Sequence, residues 1–270
     1  MDLRGRRYLV TGLLNHNSIA WDAARQLLEN GGDVILTSTS RTMRVTKRYA
    51  AMLPRVPEVI ELEARTESDY EAVADYVSTK WTALDGVLHS IAFAQDSVLN
   101  RSFLAPDPSA VLDGFLVSSV SLQLLVARLL PLLSKSQFGG SVVGLTIDTS
   151  RALPGYGWMG VYKAALRSIA EYLAIECGRH SVRVNLVAAG PLETASALGV
   201  NQIEAIKDYY RRAAPLGWDP RQTDAVTGAL LFLLSDFSRN TTGHVLHCDG
   251  GAHAVVGEVG QFSTGEAYSE

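Results

Sequence analysis

Tyr156 and Lys163 lie seven positions apart, shortly after a run, Gly140–Ile147, that reads as a strand. On a helix of 3.6 residues per turn that separation is close to two turns, so both side chains leave one face. A phenol beside an ammonium is chemically useful. The charge favours the phenolate and sharpens the hydroxyl as a hydrogen-bond donor, while the ammonium keeps donors free for sugar hydroxyls. Taken alone, the spacing also fits two unrelated residues on an amphipathic helix, so the elements around the pair decide.

Those elements alternate from end to end. Short β-branched or leucine-rich runs at Tyr8–Gly12, Asp33–Ser38, Val59–Glu63, Gly86–Ser90, Gly140–Ile147, Val182–Val187 and His244–His247 predict strands, most of them buried on both faces. Helical patterns fall between them, near Ser18–Glu29, Arg44–Met52, Glu67–Thr82, Ser109–Leu133, Tyr156–Cys177 and Thr223–Leu234. Repeated βα units imply an α/β fold: a single-domain, Rossmann-type, doubly wound parallel sheet of about seven strands with right-handed crossovers. One domain is expected over residues 1–255. The glycine-rich, polar stretch 256–270 is expected to be loosely held unless a partner subunit covers it.

Composition narrows the function. A chain of 270 residues can bury a sizeable core. Its net charge of −4 and the lack of a long basic run give no reason to expect nucleic acid as a partner. Met1-Asp-Leu-Arg-Gly-Arg-Arg leads straight into a predicted strand without an adequate apolar leader segment. The apolar stretch Leu122–Leu133 is interrupted by Arg128 and Pro131 and is too short to span a bilayer. Cys177 and Cys248 have no C-x-x-C spacing, which fits a reduced compartment, and Cys177 reads as a small packed residue. A soluble cytoplasmic protein with no membrane partner is expected. His244, His247 and His253 alternate near the last strand, but no acid or cysteine cluster supports them, so no metal site is expected.

The first βα turn, Thr11-Gly12-Leu-Leu-Asn-His-Asn-Ser18-Ile19-Ala20, should carry any nucleotide site. Gly12 allows a tight turn, Ser18 can cap the next helix while its amides face an anion, and Ala20 permits close helix–sheet packing. The turn is not G-x-G-x-x-G, and a capped turn without a ligand would read the same way.

At this point the motifs combine into a likeness. Leu84-Asp-Gly-Val-Leu-His-Ser-Ile-Ala-Phe93, Ser150-Arg-Ala-Leu-Pro, Val184-Asn-Leu-Val-Ala-Ala-Gly-Pro191, Pro215-Leu-Gly-Trp218 and Asp249-Gly-Gly-Ala-His253 carry it. The chain resembles the enoyl-acyl-carrier-protein reductases, a divergent branch of the short-chain dehydrogenase/reductases. Within that branch it is most similar to the actinobacterial, mycobacterial long-chain enoyl reductases targeted by isoniazid. The likeness runs from Arg7 to His253. Six residues separate the family's tyrosine and lysine, as here, whereas ordinary carbonyl reductases have three; the position four before Lys163 is Met159.

The resemblance implies NADH- or NADPH-dependent reduction of trans-2-enoyl thioesters, on acyl carrier protein or coenzyme A, in fatty-acid or related acyl-chain synthesis. Tyr156 would donate a hydrogen bond to the thioester oxygen, a role that can contribute ~3–4 kcal/mol to the barrier. Lys163 would hold the nicotinamide ribose. Gly12, Leu14, Ser18, Ile19 and Ala20 would form the phosphate turn. Ser90, Ile91 and Ala92 would lie beside the pyrophosphate and ribose, Gly190, Pro191, Leu192 and Thr194 beside the carboxamide and phosphates, and Glu63 and Ala64 beside the adenine. Phe93, Ile147, Tyr156, Met159, Ile203 and Ile206 would line the acyl pocket. A homotetramer, assembled through helices such as Ser109–Leu133 and Tyr156–Cys177, is expected by analogy.

Several departures qualify these expectations. Thr146 and Ile147 replace the family's aromatic residue on the substrate side. Thr39-Ser40-Arg41 follows the second strand with no carboxylate for a ribose 2′-hydroxyl, and Ser40 with Arg41 suits a 2′-phosphate, although NADH-using relatives also carry an arginine there. The substrate loop, residues 193–218, is shorter than in the mycobacterial relatives, implying shorter or otherwise different acyl chains. Ile203, Ile206 and Tyr210 recur at helical spacing, as in an amphipathic lid or a core stripe. Arg211 and Arg212 read as a solvated basic face or a contact for an acidic carrier protein. A carbonyl reductase or dehydrogenase, and a non-catalytic dinucleotide-binding subunit, are the alternatives.

Overall fold

The computed structural model describes residues 1–259, so the expected tail beyond Val259 lies outside the described residues. Seven parallel strands form one sheet in the order β3-β2-β1-β4-β5-β6-β7. They are β1 (Arg7–Val10), β2 (Asp33–Ser38), β3 (Glu58–Glu61), β4 (Gly86–His89), β5 (Ser141–Thr146), β6 (Arg183–Ala189) and β7 (Val245–Cys248). Every β4 and β6 residue is buried, because helices cover both faces of the sheet. This is the expected single-domain, doubly wound α/β fold.

Helices α1 (Ile19–Glu29), α2 (Met43–Ala50) and α3 (Glu67–Lys80) follow the first three strands. After β4 come α4 (Asp96–Leu99), α5 (Pro108–Phe115) and α6 (Ser121–Leu133), then α7 (Gly157–Gly178) after β5, and α8 (Ile203–Ala213) and α9 (Asp224–Leu234) between β6 and β7. One core layer joins α1 and α9 to the sheet through Leu27, Leu230 and Leu233. The opposite layer joins α3, α6 and α7 through Val73, Leu125 and Leu166. Pro108–Leu133 is long and apolar enough to cross a membrane, but its Leu122, Leu125, Val126 and Leu129 are buried within this second layer.

Three expected boundaries are corrected. The helix expected over Ser109–Leu133 is interrupted by a π-turn at Leu116–Val120. There the Ser118 hydroxyl donates to the Phe93 carbonyl at 2.7 Å and accepts from the Phe93 amide at 2.8 Å. Ser119 donates to the Tyr162 carbonyl, so the widened turn serves long-range hydrogen bonds. Tyr156 is not inside α7 but precedes its first residue, since Gly155 and Gly157 flank it at φ +82° and +48° and turn the chain there. Finally, β6 extends two residues past Val187, paired with β7 as far as Cys248.

Candidate active site

The carboxyl ends of β1, β4, β5 and β6 open onto a cleft of about 380 Å³. Open α/β sheets bind ligands at this edge. Tyr156 and Lys163 both line it, as do Gly12, Leu14, Ser18 and Ile19 of the first turn and Ser90, Ile91 and Ala92 after β4. Gly190, Pro191, Leu192 and Thr194 after β6 form the facing wall. All six residues expected in the acyl pocket, Phe93, Ile147, Tyr156, Met159, Ile203 and Ile206, line the same space.

Five expected residues lie outside its walls. Ala20 is fully buried behind the first turn, against the sheet. Ser40 and Arg41 are exposed beyond the end of β2, and Glu63 and Ala64 follow β3. The Leu62 amide donates to the Ser38 carbonyl, so these two segments are neighbours at the outer edge of the sheet. Glu63 is paired with Arg65 at 2.9 Å, and the Ala64 carbonyl accepts from the Tyr70 hydroxyl.

At the inner end, Lys163 is only 6% exposed, and its Nζ donates to the Leu145 carbonyl at 2.9 Å. Burial pulls this ammonium down to about 8. Tyr156 is half-buried, and burial around its hydroxyl pushes it up to about 12. This direction is opposite to the expected bias toward phenolate: dehydration favours the neutral phenol, which keeps its proton to donate. Beneath them His89 is fully buried, pulled down to about 3 by burial first and then by the Lys163 charge. Ser121 donates to the Val117 carbonyl, so its oxygen accepts from His89 Nε2, and Nδ1 has no partner among the described residues.

The first turn is also built differently from its expected form. Ser18 precedes α1, but its hydroxyl does not cap the helix; it accepts from the Leu14 and Asn15 amides at 3.2 and 3.0 Å. It thereby holds a turn that lacks the second and third glycines of the usual fingerprint. Gly12 has φ +80°, and a Cβ there would stand 1.8 Å from the Ser90 carbonyl oxygen. On the opposite wall, a Cβ on Gly190 would stand 2.6 Å from the Trp218 ring, whose Nε1 donates to the Pro191 carbonyl.

These features suit a dinucleotide. Two of the three Lys163 N–H donors have no acceptor among the described residues, and they border the cleft. The amides of Ile19 and Ala20 open α1, where backbone donors and the helix dipole favour an anion. The bare backbone at Gly12 and Ser90 permits close approach.

Ile203, Ile206 and Tyr210 form one apolar face of α8. All three are buried on α8 and line the cleft. Leu99, Leu153 and Val200 are lining residues that sequence reasoning missed; Leu99 sits on a four-residue helix too short to show periodicity. Arg211 pairs with Asp208 and Arg212 with Glu258, so neither is an unpaired cation. Two of the histidines near the last strand each meet a single carboxylate. His247 and His253 stack at 3.9 Å and meet Asp148 at 3.5 Å and Asp249 at 2.9 Å. Even so, no group of three or more potential ligands suited to a metal occurs among the described residues.

The family model described as enoyl-(acyl carrier protein) reductase matches residues 12–253. The enoyl-acyl-carrier-protein reductase (NADH) of Mycobacterium avium is 35% identical over 263 residues, covering 93% of this chain and 97% of its own length. The protein of the same name from Mycolicibacterium smegmatis is 36% identical over 265 residues, with 93% and 97% coverage. The corresponding reductase of Bacillus subtilis is 34% identical over 260 residues, with 94% and 98% coverage. With the family model and these relatives spanning nearly the whole chain, and the tyrosine and lysine on one cleft, this chain belongs to the enoyl-acyl-carrier-protein reductase family.

Proposed function

We propose that this protein reduces trans-2-enoyl thioesters, carried on acyl carrier protein or coenzyme A, at the expense of a reduced nicotinamide dinucleotide. Its relatives are named for NADH, which makes NADH the first cofactor to test. The observation that carries this reading is the placement of Tyr156 and the buried Lys163 side chain on one cleft at the carboxyl ends of the strands.

Bound there, the nicotinamide would supply a hydride to the β-carbon of the enoyl thioester. Tyr156 donates a hydrogen bond to the thioester oxygen, where negative charge accumulates as the carbon–carbon double bond is reduced. Lys163, fixed by the Leu145 carbonyl, uses its remaining donors on the nicotinamide ribose. Ser90, Ile91, Ala92 and the Gly190–Thr194 segment bind the rest of the dinucleotide. Ser40, Arg41, Glu63 and Ala64 border its adenosine end.

Residues 193–218 form a lid over the acyl chain, with Ile203 and Ile206 as its apolar underside. Apolar side chains exposed on α5 and α7, Leu112 at 68%, Tyr172 at 71% and Ile175 at 60%, support assembly into a homotetramer. Residues 1–255 act as one catalytic domain. The test is absorbance loss of NADH with trans-2-enoyl thioesters of short and long chain. Turnover confirms the reaction, and its chain-length profile reports the lid's capacity. Cofactor binding with no turnover on any chain would end this reading.

A further inference from the structure

Tyr156 lies just outside α7, so regular structure does not by itself fix its place in the cleft. It closes the loop that leaves β5 at Thr146, and Gly155 and Gly157 flank it at φ +82° and +48°. Glycines at positive φ leave the backbone there unusually free. The Tyr156 amide donates to the Leu153 carbonyl at 3.1 Å, a bond internal to the loop. The Asp148 carboxylate accepts from the Ser150 amide and hydroxyl at 3.0 and 2.9 Å, again within the loop.

Among the described residues, the hydrogen bonds and ion pairs from residues 148–155 to other elements are two, and both reach the end of β7 and the turn after it. The Arg151 guanidinium donates to the His253 carbonyl. His247 Nε2 lies 3.5 Å from Asp148 Oδ1.

That turn is firmly built. The Asp249 carboxylate is 3% exposed and accepts from the Gly251 amide, the His253 amide and His253 Nδ1, each at 2.9 Å. A carboxylate only accepts, so His253 carries a proton on Nδ1. Its ring stacks on His247, with 3.9 Å between centroids and 17° between planes. Gly250 backs the turn closely, since a Cβ there would stand 2.4 Å from the Gly217 carbonyl oxygen. The Cys248 carbonyl accepts from the Gly190 amide at 3.0 Å, which ties the end of β7 to the wall of the cleft.

The loop before Tyr156 is therefore fastened to a fixed platform at two points. Beside it, a cavity of about 340 Å³ lies between the loop and α8, lined by Asp148, Arg151, Leu153, Gln202, Tyr209 and His253. That space gives the loop room to shift once either point is released. We propose that Arg151 and His247 are positioning residues for Tyr156: they clamp residues 148–155 onto the turn after β7, and the place of the phenol in the cleft depends on that clamp. The inference rests on Tyr156 being the group that meets the enoyl thioester, as proposed above. Displacing such a group by about 1 Å can lower the rate by about 10²-fold.

The test is a double-mutant cycle in the full chain. Arg151→Ala should lower kcat with a trans-2-enoyl thioester by about tenfold or more and leave NADH affinity within about twofold. Arg151 is exposed, and retained NADH binding verifies that the variant is folded. Arg151→Lys keeps one donor for the His253 carbonyl and should recover part of the loss. His247→Gln, which ends the stack, should lose less than Arg151→Ala. In the Tyr156→Phe background, Arg151→Ala should cause no further fall in kcat, because no hydroxyl remains to be misplaced. Losses that multiply in the double variant, or an Arg151→Ala kcat within about twofold of wild type, overturn the proposal.

A second readout needs no turnover. With tyrosine labelled with carbon-13 at Cζ, the resonance that disappears in Tyr156→Phe is that of Tyr156. Arg151→Ala should move this resonance, and Arg151→Lys should return it toward its wild-type position. If wild type reduces no enoyl thioester while the resonance moves, the proposed reaction fails and the clamp stands. If wild type is active and the resonance stays in place, the reaction stands and the clamp fails.

Discussion

At the inner end of the cleft, Lys163 is 6% exposed and makes one hydrogen bond, whereas at the outer edge the Arg65 guanidinium makes three and Arg41 stands in solvent. Burial lowers Lys163 and raises Tyr156 at the inner end. Arg65 is raised instead, first by its hydrogen bonds to Asp113. An isolated charge is expensive where water is excluded, so the inner end keeps few and aims their free donors at the cleft. Charges at the outer edge remain hydrated, and several can be accommodated at small net cost. Single substitutions should therefore act strongly at the inner end and weakly at the outer one.

Tyr156→Phe tests the contrast most severely. It removes the donor and little else, so kcat with a trans-2-enoyl thioester should fall by about 10²–10³, as on removing an oxyanion-hole donor. Dinucleotide binding should remain unchanged. If steady-state kinetics gave a kcat within about threefold of wild type, the largest difference between the two ends would disappear.

Gly12→Ala comes next. The added Cβ would stand 1.8 Å from the Ser90 carbonyl oxygen at a φ that non-glycine residues rarely adopt, so two backbone segments must separate. A stability loss of about 1–3 kcal/mol is expected in denaturant unfolding, together with weaker dinucleotide binding. Unchanged melting and cofactor affinity would mean the inner wall is more pliable than its contacts imply.

How much of this contrast is legible in the sequence depends on what sets each residue's position. The parallel sheet follows from buried β-branched runs such as Val142-Val143 alternating with helical patterns. Tyr156, Lys163, Gly12 and Ser90 could be assigned to one cleft because strand ends converge by topology and the motifs around them resemble a family. The Ser118 clamp on Phe93 could not be read, since it links residues 25 apart through a π-turn that no local spacing encodes. Nor could the stacking of His247 on His253, which depends on the turn at Gly250 and Gly251, both at positive φ. The direction of the Tyr156 shift was misjudged for a related reason. Spacing reports a neighbouring charge, but only packing reports the water that is lost.

The pH dependence of stability probes that loss directly. Lys163 has a folded pKa of about 8 against its ordinary 10.5. Between those values the unfolded chain holds the proton and the folded chain has released it. The unfolded state then binds more protons, so stability rises with pH across this window; below about 8 the cost of the buried charge is fully present. Relative to Lys163→Met, the cofactor-free wild type should gain up to a few kcal/mol between pH 8 and 10.5. Urea unfolding of both proteins across that range measures the difference. A flat difference would show that water reaches Lys163, and the inner end would then resemble the outer.

The smallest effect is expected at Arg65, and its smallness is informative. The guanidinium holds Asp113 and Glu63 and lies 4.8 Å over the Phe93 ring. Both its own side chain and the Glu63 side chain remain about one-third exposed, so solvent screens the pairs. Arg65→Gln should cost no more than about 1 kcal/mol in urea unfolding at low salt and less at high salt. The Asp113 carboxyl, held below its usual range chiefly by Arg65, should shift upward, which NMR titration would detect. A salt-independent loss above about 2 kcal/mol would mean that this edge is rigid framework, with charges as consequential as those beside Tyr156.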